Sequence, residues 1–393
     1  MERILVCGLN CRPVALSAKA LGFEVHVVDF FGDVDLKRNV DKLYSLGGEY
    51  DSQKLCDLAV SVTEKGSFDG VFLTSELGCN ASYVKAFEPC GSILGNDSKT
   101  VAAVRDWKAF FEKLSELDIP HPKTRVVSSE GEVAGVVGEI GFPLVVKPTH
   151  GSAGFGVILA ETESEVYDSL KHYGVILVQE YIQGVDASVS ALGSGGAVKS
   201  LSFNRQFLGL EFLGCTLPFQ YCGNMVPVKH GLASECKRIT ELIGSQFNLK
   251  GSFGIDFVIA DKPYVIEVNP RFQDTLECVE RAYGVNLVEQ HLNSLEGRLP
   301  NNMEASKVCA KGILYAVSDL TVSGDLTKIS DVADIYKPGT KVSNGEPVCS
   351  AFSTGSCEDE ALNNLKIKVG EIQKNLLKVN QCWQSSQDTS SSC

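Results

Sequence analysis

The chain has 393 residues, 44% apolar and 22% charged, which excludes whole-chain disorder and sets two or three packed domains as the expectation. Its 36 Lys and Arg against 49 Asp and Glu leave a net charge of −13, which excludes non-specific binding to nucleic-acid backbones but allows a local basic pocket for a phosphorylated small molecule. The 14 cysteines form no CxxC pair and follow no secretory leader in MERILVCGLNCRP, so they read as free thiols of a reducing, cytoplasmic setting.

In chain order, Ile4–Cys7, Val14–Leu21 and Glu24–Val28 predict strand, helix, strand. Val71–Thr74 and Gly91–Leu94 predict two further strands, so residues 1–97 read as a small open parallel α/β sheet. Asn96 and Asp97 signal a helix start, and Val101–Leu117 predicts one amphipathic helix stopped at Ile119-Pro120. Strands follow at Leu144–Lys147, Val157–Ala160 and Ile176–Gln179, then a β-rich stretch over Ser188–Val228, a helix over Ser234–Phe247 and a hairpin over Ser252–Asn269. Within that stretch the longest charge-free run, Phe212–Val228, is broken by Gly214, Pro218 and Pro227, too often to span a bilayer. Ala310–Ala316 and the Gly339–Val348 region predict a third, smaller unit closed by a helix over Asp359–Leu377, and QSSQDTSSSC a frayed tail.

Chemistry concentrates in three places. Gly8 is not one of them: Asn10, Cys11, Arg12 and Pro13 follow it where a dinucleotide fingerprint needs more glycines, although Asp29 ends strand two where a ribose-binding acid would sit. Cys7 and Cys11 lack the partners of a zinc site. In LVVKPTHGSAGFGV, Lys147 ends a buried strand and Gly151, Gly154 and Gly156 follow in one loop. Such glycines let backbone N–H groups turn toward an anion, and the lysine adds a point charge. No Gly-Lys-Ser/Thr ends the run, so it is not a Walker A loop, and a plain glycine-rich turn beside a surface lysine is the alternative.

The second place is the hairpin SFGIDFVIADKPYVIEVNPRF. With its turn centred between Asp261 and Lys262, Asp256 lies opposite Glu267, their Cβ atoms about 4.5–5.5 Å apart, where like charges are destabilising unless neutralised. Asn269 shares their face, whereas Ile255, Phe257, Ile259, Ile266 and Val268 take the other, toward a core. Two carboxylates and an amide oxygen suit Mg²⁺ that keeps waters and shares nucleotide phosphates; solvated edge carboxylates are the alternative. The third place, VQEYIQGVDASVS, runs a strand into Gln179, Glu180, Tyr181 and Ile182 and then Asp186, a backbone edge for a base followed by an acid for ribose hydroxyls.

The order Lys108, Lys147, segment 179–186, then Asp256, Glu267 and Asn269 resembles the ATP-grasp superfamily, in particular carboxylate–amine ligases related to biotin carboxylase. The resemblance implies an α/β fold: an N-terminal open parallel α/β domain (1–97), an ATP-grasp core of two α+β subdomains (98–300), a small C-terminal α+β domain (301–380) and a flexible tail (381–393). It implies that Lys108 and Lys147 contact ATP phosphates and that the loop containing Gly151, Ser152, Gly154 and Gly156 closes over them. Gln179, Glu180, Tyr181 and Ile182 would line the adenine pocket, Asp186 would take the ribose, Asp256, Glu267 and Asn269 would hold Mg²⁺, and Arg271 would steady the transferred phosphoryl group. Family members often carry Glu at the positions of Gln179 and Asp186. The run GLNCRPVALSAKALGFEVHVVDFFGDVDL looks like that of uncharacterised archaeal-type ATP-grasp proteins.

The expected reaction activates a small carboxylate as an acyl phosphate and joins it to an amine, releasing ADP and phosphate, by positioning and charge neutralisation without a protein nucleophile. An ATP-dependent carboxylase using bicarbonate and a nucleotide-binding module without turnover are the alternatives. Glu76 and the run Asn204-Arg205-Gln206 are candidate substrate contacts, with the Arg205 guanidinium placed to grip a carboxylate. Partners are thus a small-molecule carboxylate and amine, with no nucleic acid and no membrane, and with homodimerisation left open.

Overall fold

A computed structural model describes residues 1–151, 153–322 and 324–387. The chain opens with β1 (Arg3–Gly8), α1 (Arg12–Ala20), β2 (Glu24–Asp29), α2 (Val34–Asn39), β3 (Lys42–Ser45), α3 (Ser52–Lys65), β4 (Gly70–Leu73) and α4 (Ala81–Phe87). The four strands are all parallel, in the order β3-β2-β1-β4. Central β1 is buried along nearly its whole length, as a parallel strand covered on both faces must be. Asp29, at the end of β2, accepts hydrogen bonds from the backbone N–H of Cys11 (2.8 Å) and Gly32 (2.7 Å), so it holds two loops and is not free for a ribose. The strand expected at Gly91–Leu94 does not form. Glu88–Cys90 coil into a 3₁₀ turn, Gly91 takes a φ of +138°, and only a single parallel bridge, Val71 to Ile93, remains.

The single helix expected over Val101–Leu117 is two, α5 (Ser98–Arg105) and α6 (Trp107–Glu116). Asp106 leaves the helical conformation at ψ 87°, and its carboxylate accepts from the backbone N–H of Ala109, capping α6. Next come β5 (Thr124–Val127), α7 (Glu130–Ile140), β6 (Leu144–Pro148), β7 (Ile158–Ala160), α8 (Glu163–Tyr173) and β8 (Ile176–Glu180). Their strands form an antiparallel sheet, β5-β8-β6-β7, whose two helices both open with capping boxes, Ser129 with Glu132 and Thr162 with Glu165.

The rest comprises β9 (Val185–Ser194), β10 (Val198–Leu208), β11 (Tyr221–Val226), α9 (Ala233–Gln246), β12 (Lys250–Ile259), β13 (Pro263–Asn269), α10 (Leu276–Tyr283), α11 (Leu287–Leu295), β14 (Val308–Tyr315), β15 (Leu320–Thr321), β16 (Val332–Ala333), β17 (Lys341–Val342), β18 (Pro347–Gly355) and α12 (Glu358–Gln387). Eight of these strands make one antiparallel sheet in the order β13-β12-β9-β10-β11-β14-β18-β16. The strands after residue 300 therefore continue the sheet that carries the hairpin. Helix α12 runs ten residues beyond the expected Leu377, so 381–387 are helical where a flexible tail is expected, and 388–393 lie outside the described residues.

In the β12–β13 hairpin the expected pairing of Asp256 with Glu267 is observed, but by a different route. Near the turn Ile259 pairs with Pro263 and Phe257 with Val265, one residue off the expected register, and a bulge at Ile266 restores it. As a result Val265 enters the core beside Ile255, Phe257 and Val268, while Ile266, expected in the core, faces the cavity. Burying each such side chain is worth about 1.5–3 kcal/mol. A one-residue slip would exchange that core face for the carboxylates, so the packing fixes where they point.

Candidate active site

A cavity of about 1020 Å³ lies among the three larger sheets, walled by the β6–β7 loop, the β12–β13 hairpin and the ends of the N-terminal strands. On the hairpin, Asn269 Nδ2 donates to Asp256 Oδ2 (3.0 Å) and lies 3.4 Å from Glu267 Oε1. Burial, and then the neighbouring charge of Glu267, push the Asp256 carboxyl up to about 8. For Glu267 burial acts in the same direction, but Arg105, Lys147 and Arg271 outweigh it and hold that carboxyl below its usual range. The pair thus shares one proton near neutrality unless a cation replaces it. Among the described residues no three His, Cys, Asp or Glu converge as a metal cluster. The donor set is two carboxylates and an amide, which fits a hard divalent ion completing its shell with water and phosphate oxygens. Gly254 belongs to this face: a Cβ there would lie 1.7 Å from the side chain of Gln273, which reaches the cavity 3.5 Å from Asp256 Oδ1.

Facing the carboxylates is a set of cations arranged on Trp107. Lys147 Nζ lies 5.7 Å and the Arg105 guanidinium 5.4 Å from the indole centroid, within cation–π range, and the indole N–H donates to the Thr149 carbonyl (3.3 Å). Burial draws the Lys147 ammonium below its usual value, opposed by Glu267 and Asp256. Arg105 also contacts Glu267 at 3.4 Å. From the far end of the hairpin Arg271 donates to the carbonyls of Ser75 (3.0 Å) and Phe272 (2.8 Å), which aim it across the cavity. The glycine-rich loop folds down onto the β10–β11 connection. Ala153 O accepts from Tyr221 N (3.1 Å), and a Cβ on Gly154, at φ +75°, would sit 1.9 Å from Phe219 O, so only glycine fits. Gly151 lines the cavity and Gly156, also at positive φ, completes the turn, while Ser152 lies outside the described residues.

The segment after β8 is open as expected. The ladder ends at Glu180, which is fastened to Lys123 through backbone and side chain, and Tyr181–Gly184 belong to no strand. Glu180, Tyr181, Ile182 and Asp186 line the cavity. Gln179 does too, but its amide is buried and donates to Thr124 Oγ1 (2.9 Å), leaving it a structural part of the wall. Burial raises the Asp186 carboxyl, with Arg205 acting against it.

Two expected residues fall outside this wall. Lys108 is exposed on α6: the break at Asp106 puts Arg105 and Trp107 on the cavity and turns the next residue outward. Arg205 is exposed on β10, where strand alternation sends its neighbour Gln206 into the cavity instead. Glu76, the other candidate contact, does line the cavity and accepts from the Tyr50 hydroxyl (2.9 Å).

A buried charge network goes unseen in the sequence reading. Arg12 on α1 holds Glu277 with two hydrogen bonds (2.7 and 2.8 Å) and Asp334 with a third (2.7 Å). Lys311 on β14 is fully buried, binds Asp274, lies 3.8 Å from Glu277 and lines the cavity. The available signals were a lone lysine inside the apolar run of β14 and an arginine directly before Asp106-Trp107.

Residues 104–275 match the ATP-grasp domain family, so the chain carries an ATP-grasp domain. Over 95% of its length it is 26% identical to an uncharacterised protein of Methanocaldococcus jannaschii, 93% of which is covered. Over 60% of its length it is 26% identical to the carbamoyl phosphate synthase large chain of Pyrococcus furiosus, but it spans only 23% of that protein. In fold it is similar to the biotin carboxylase domain dimer of Hydrogenobacter thermophilus 2-oxoglutarate carboxylase, solved with MgADP, ADP and bicarbonate (TM-score 0.75, 15% identity, 92% of this chain and 88% of that one). It is also similar in fold to an L-amino acid ligase of Bacillus licheniformis (TM-score 0.71, 17% identity, 94% and 97%). Among the described residues no helix is long and apolar enough to cross a membrane.

Proposed function

We propose that this protein is an ADP-forming carboxylate–amine ligase that uses Mg²⁺ and ATP. The observation that carries the reading is the Asp256–Glu267 pair, placed opposite each other by the hairpin register and ringed by Lys147, Arg105 and Arg271 in one cavity. Negative and positive groups so interleaved suit a polyphosphate shared with a divalent cation. Asp256, Glu267 and the oxygen of Asn269, presented by half a turn of its amide, would hold Mg²⁺, which neutralises phosphate charge when bound. Lys147 and Arg105 would bind the phosphates under the Gly151–Gly156 loop. The base would lie along Glu180–Ile182, with Asp186 near the ribose.

Arg271, fixed by two carbonyls, would orient the γ-phosphoryl group against a carboxylate oxygen of the substrate. Attack gives an acyl phosphate and ADP; the amine, once its ammonium has released a proton to solvent, then displaces phosphate, and the second N–H proton leaves as the amide forms. Domain limits at 97 and 300 belong to this reading, with β14, β18 and β16 of the last unit extending the sheet that carries the hairpin.

The test is a screen of small carboxylates with MgATP and hydroxylamine, following ADP release and hydroxamate by mass spectrometry. ADP appearing in step with a hydroxamate is the expected result. AMP and pyrophosphate would overturn the acyl-phosphate route, and a bicarbonate requirement with a carboxylated product would replace the ligase by a carboxylase.

A further inference from the structure

Where the cavity meets the N-terminal sheet, Asp33 stands just before α2, 3% exposed and lining the cavity. Its carboxylate caps no helix N–H, and Oδ2 finds no hydrogen-bond partner among the described residues. The adjacent cation does not serve it, because the Arg12 guanidinium is committed to Glu277 and Asp334. A buried carboxylate without a partner is costly, and here it is also an unmet demand for a positive charge.

The surrounding wall is aromatic. Phe30 and Phe31 meet edge to face at 5.2 Å, Phe30 and Tyr50 at 5.2 Å, and Phe31 and Tyr336 at 6.3 Å, all four rings lining the same cavity. Ring faces attract cations and repel carboxylates, and Glu76, bonded to the Tyr50 hydroxyl, adds a second negative charge. We propose that Asp33 and the rings of Phe30, Phe31, Tyr50 and Tyr336 form a recognition site for an organic ammonium group, and that the second substrate enters as a protonated primary amine with an apolar chain. This inference rests on the ligase reading, to which it adds the substrate class. Burial and the carboxylates of Asp334, Asp29 and Asp35 push Asp33 up to about 9, so the free protein holds a proton where a ligand would bring its own charge.

The test uses the full chain, with n-pentylamine as probe, 1-pentanol as its uncharged counterpart and a non-hydrolysable ATP analogue titrated separately with Mg²⁺. In calorimetry the wild type should bind pentylamine at least about tenfold more tightly than pentanol, and Asp33→Asn should bring the ratio below about two without altering analogue affinity. Tyr336→Leu should weaken pentylamine severalfold while keeping the charge preference, giving a second readout should Asp33→Asn fail to fold. Equal affinity for amine and alcohol in the wild type, or a preference that survives Asp33→Asn, overturns the inference. Either result with intact binding of the ATP analogue leaves the ligase reading standing. A preserved amine preference with no analogue binding removes the ligase reading and keeps the amine site.

Discussion

Carboxylates occupy two parts of one cavity under opposite conditions. At the β12–β13 hairpin Asp256 and Glu267 repel each other, yet Lys147, Arg105 and Arg271 stand close enough to hold Glu267 ionised. At the start of α2 Asp33 is more deeply buried and has no cation of its own, so it is driven up to about 9. The difference teaches what each place is ready to receive. The first has mixed charge and suits a metal with a polyanion, whereas at the second the adjacent Arg12 is already committed to Glu277 and Asp334, which leaves a carboxylate and π faces that suit a cation.

Breaking the first half of that comparison should give the largest effect. Glu267→Gln removes the carboxylate on which three cations converge, and MgATP-dependent turnover should fall on the order of 10²-fold or more. The melting temperature should stay within about 4 °C, because the change also relieves Asp256. A variant that melts far lower, paired with a wild type indifferent to Mg²⁺, would show the pair to be structural.

The second half is sharpened by pH. Asp33 has a folded value near 9 against an ordinary 3.8, so folding favours its protonated form. Its contribution to stability is whole below about pH 4 and is lost as pH rises toward 9. Asparagine mimics the protonated carboxyl. The stability gained by Asp33→Asn should therefore be small at pH 5 and grow to about 1–3 kcal/mol by pH 8.5 in thermal or urea melts. A gain that does not change with pH would mean that Asp33 is ionised at no great cost.

Smaller effects separate cavity residues from their neighbours in sequence. Arg105→Ala should weaken MgATP by about 1–2 kcal/mol, whereas Lys108→Ala, one residue beyond Trp107 and exposed, should stay within about 0.5 kcal/mol. Arg205→Ala should likewise remain within about 0.5 kcal/mol in both stability and ATP affinity. Equilibrium titrations decide both, and a loss at Lys108 equal to that at Arg105 would return the helix lysine to the phosphate site.

How much of this was legible follows from how each part is built. The carboxylate pair is local: period-two alternation and one turn within a single hairpin place Asp256 opposite Glu267, and the core behind it enforces the result. Even there the bulge at Ile266 is invisible to alternation alone. Arg205 faces away from the cavity because neighbouring residues of a strand face opposite ways, and nothing in the local sequence says which face of β10 is wet. Lys108 faces solvent because the helix breaks at Asp106, and an Asp before Trp-Lys-Ala is a capping signal that a continuous apolar period over Val101–Leu117 conceals. The helices behind the β5–β8 sheet were announced by capping boxes at Ser129 and Thr162 that the strand pattern overshadowed. The surroundings of Asp33 were beyond reach. Phe30, Tyr50, Glu76 and Tyr336 come together only through the packing of the N-terminal sheet against the segment after β16, and no local period records that.

The central claim is that the Lys147 loop and the hairpin carboxylates form one MgATP site. Its most direct test is calorimetric titration of MgATP into the wild type and Lys147→Ala, each with and without Mg²⁺. The account predicts Mg²⁺-dependent binding that weakens by about 1.5–3 kcal/mol, roughly 10- to 150-fold, when the lysine is removed. Unaltered affinity in Lys147→Ala, or ATP binding indifferent to Mg²⁺, would contradict it.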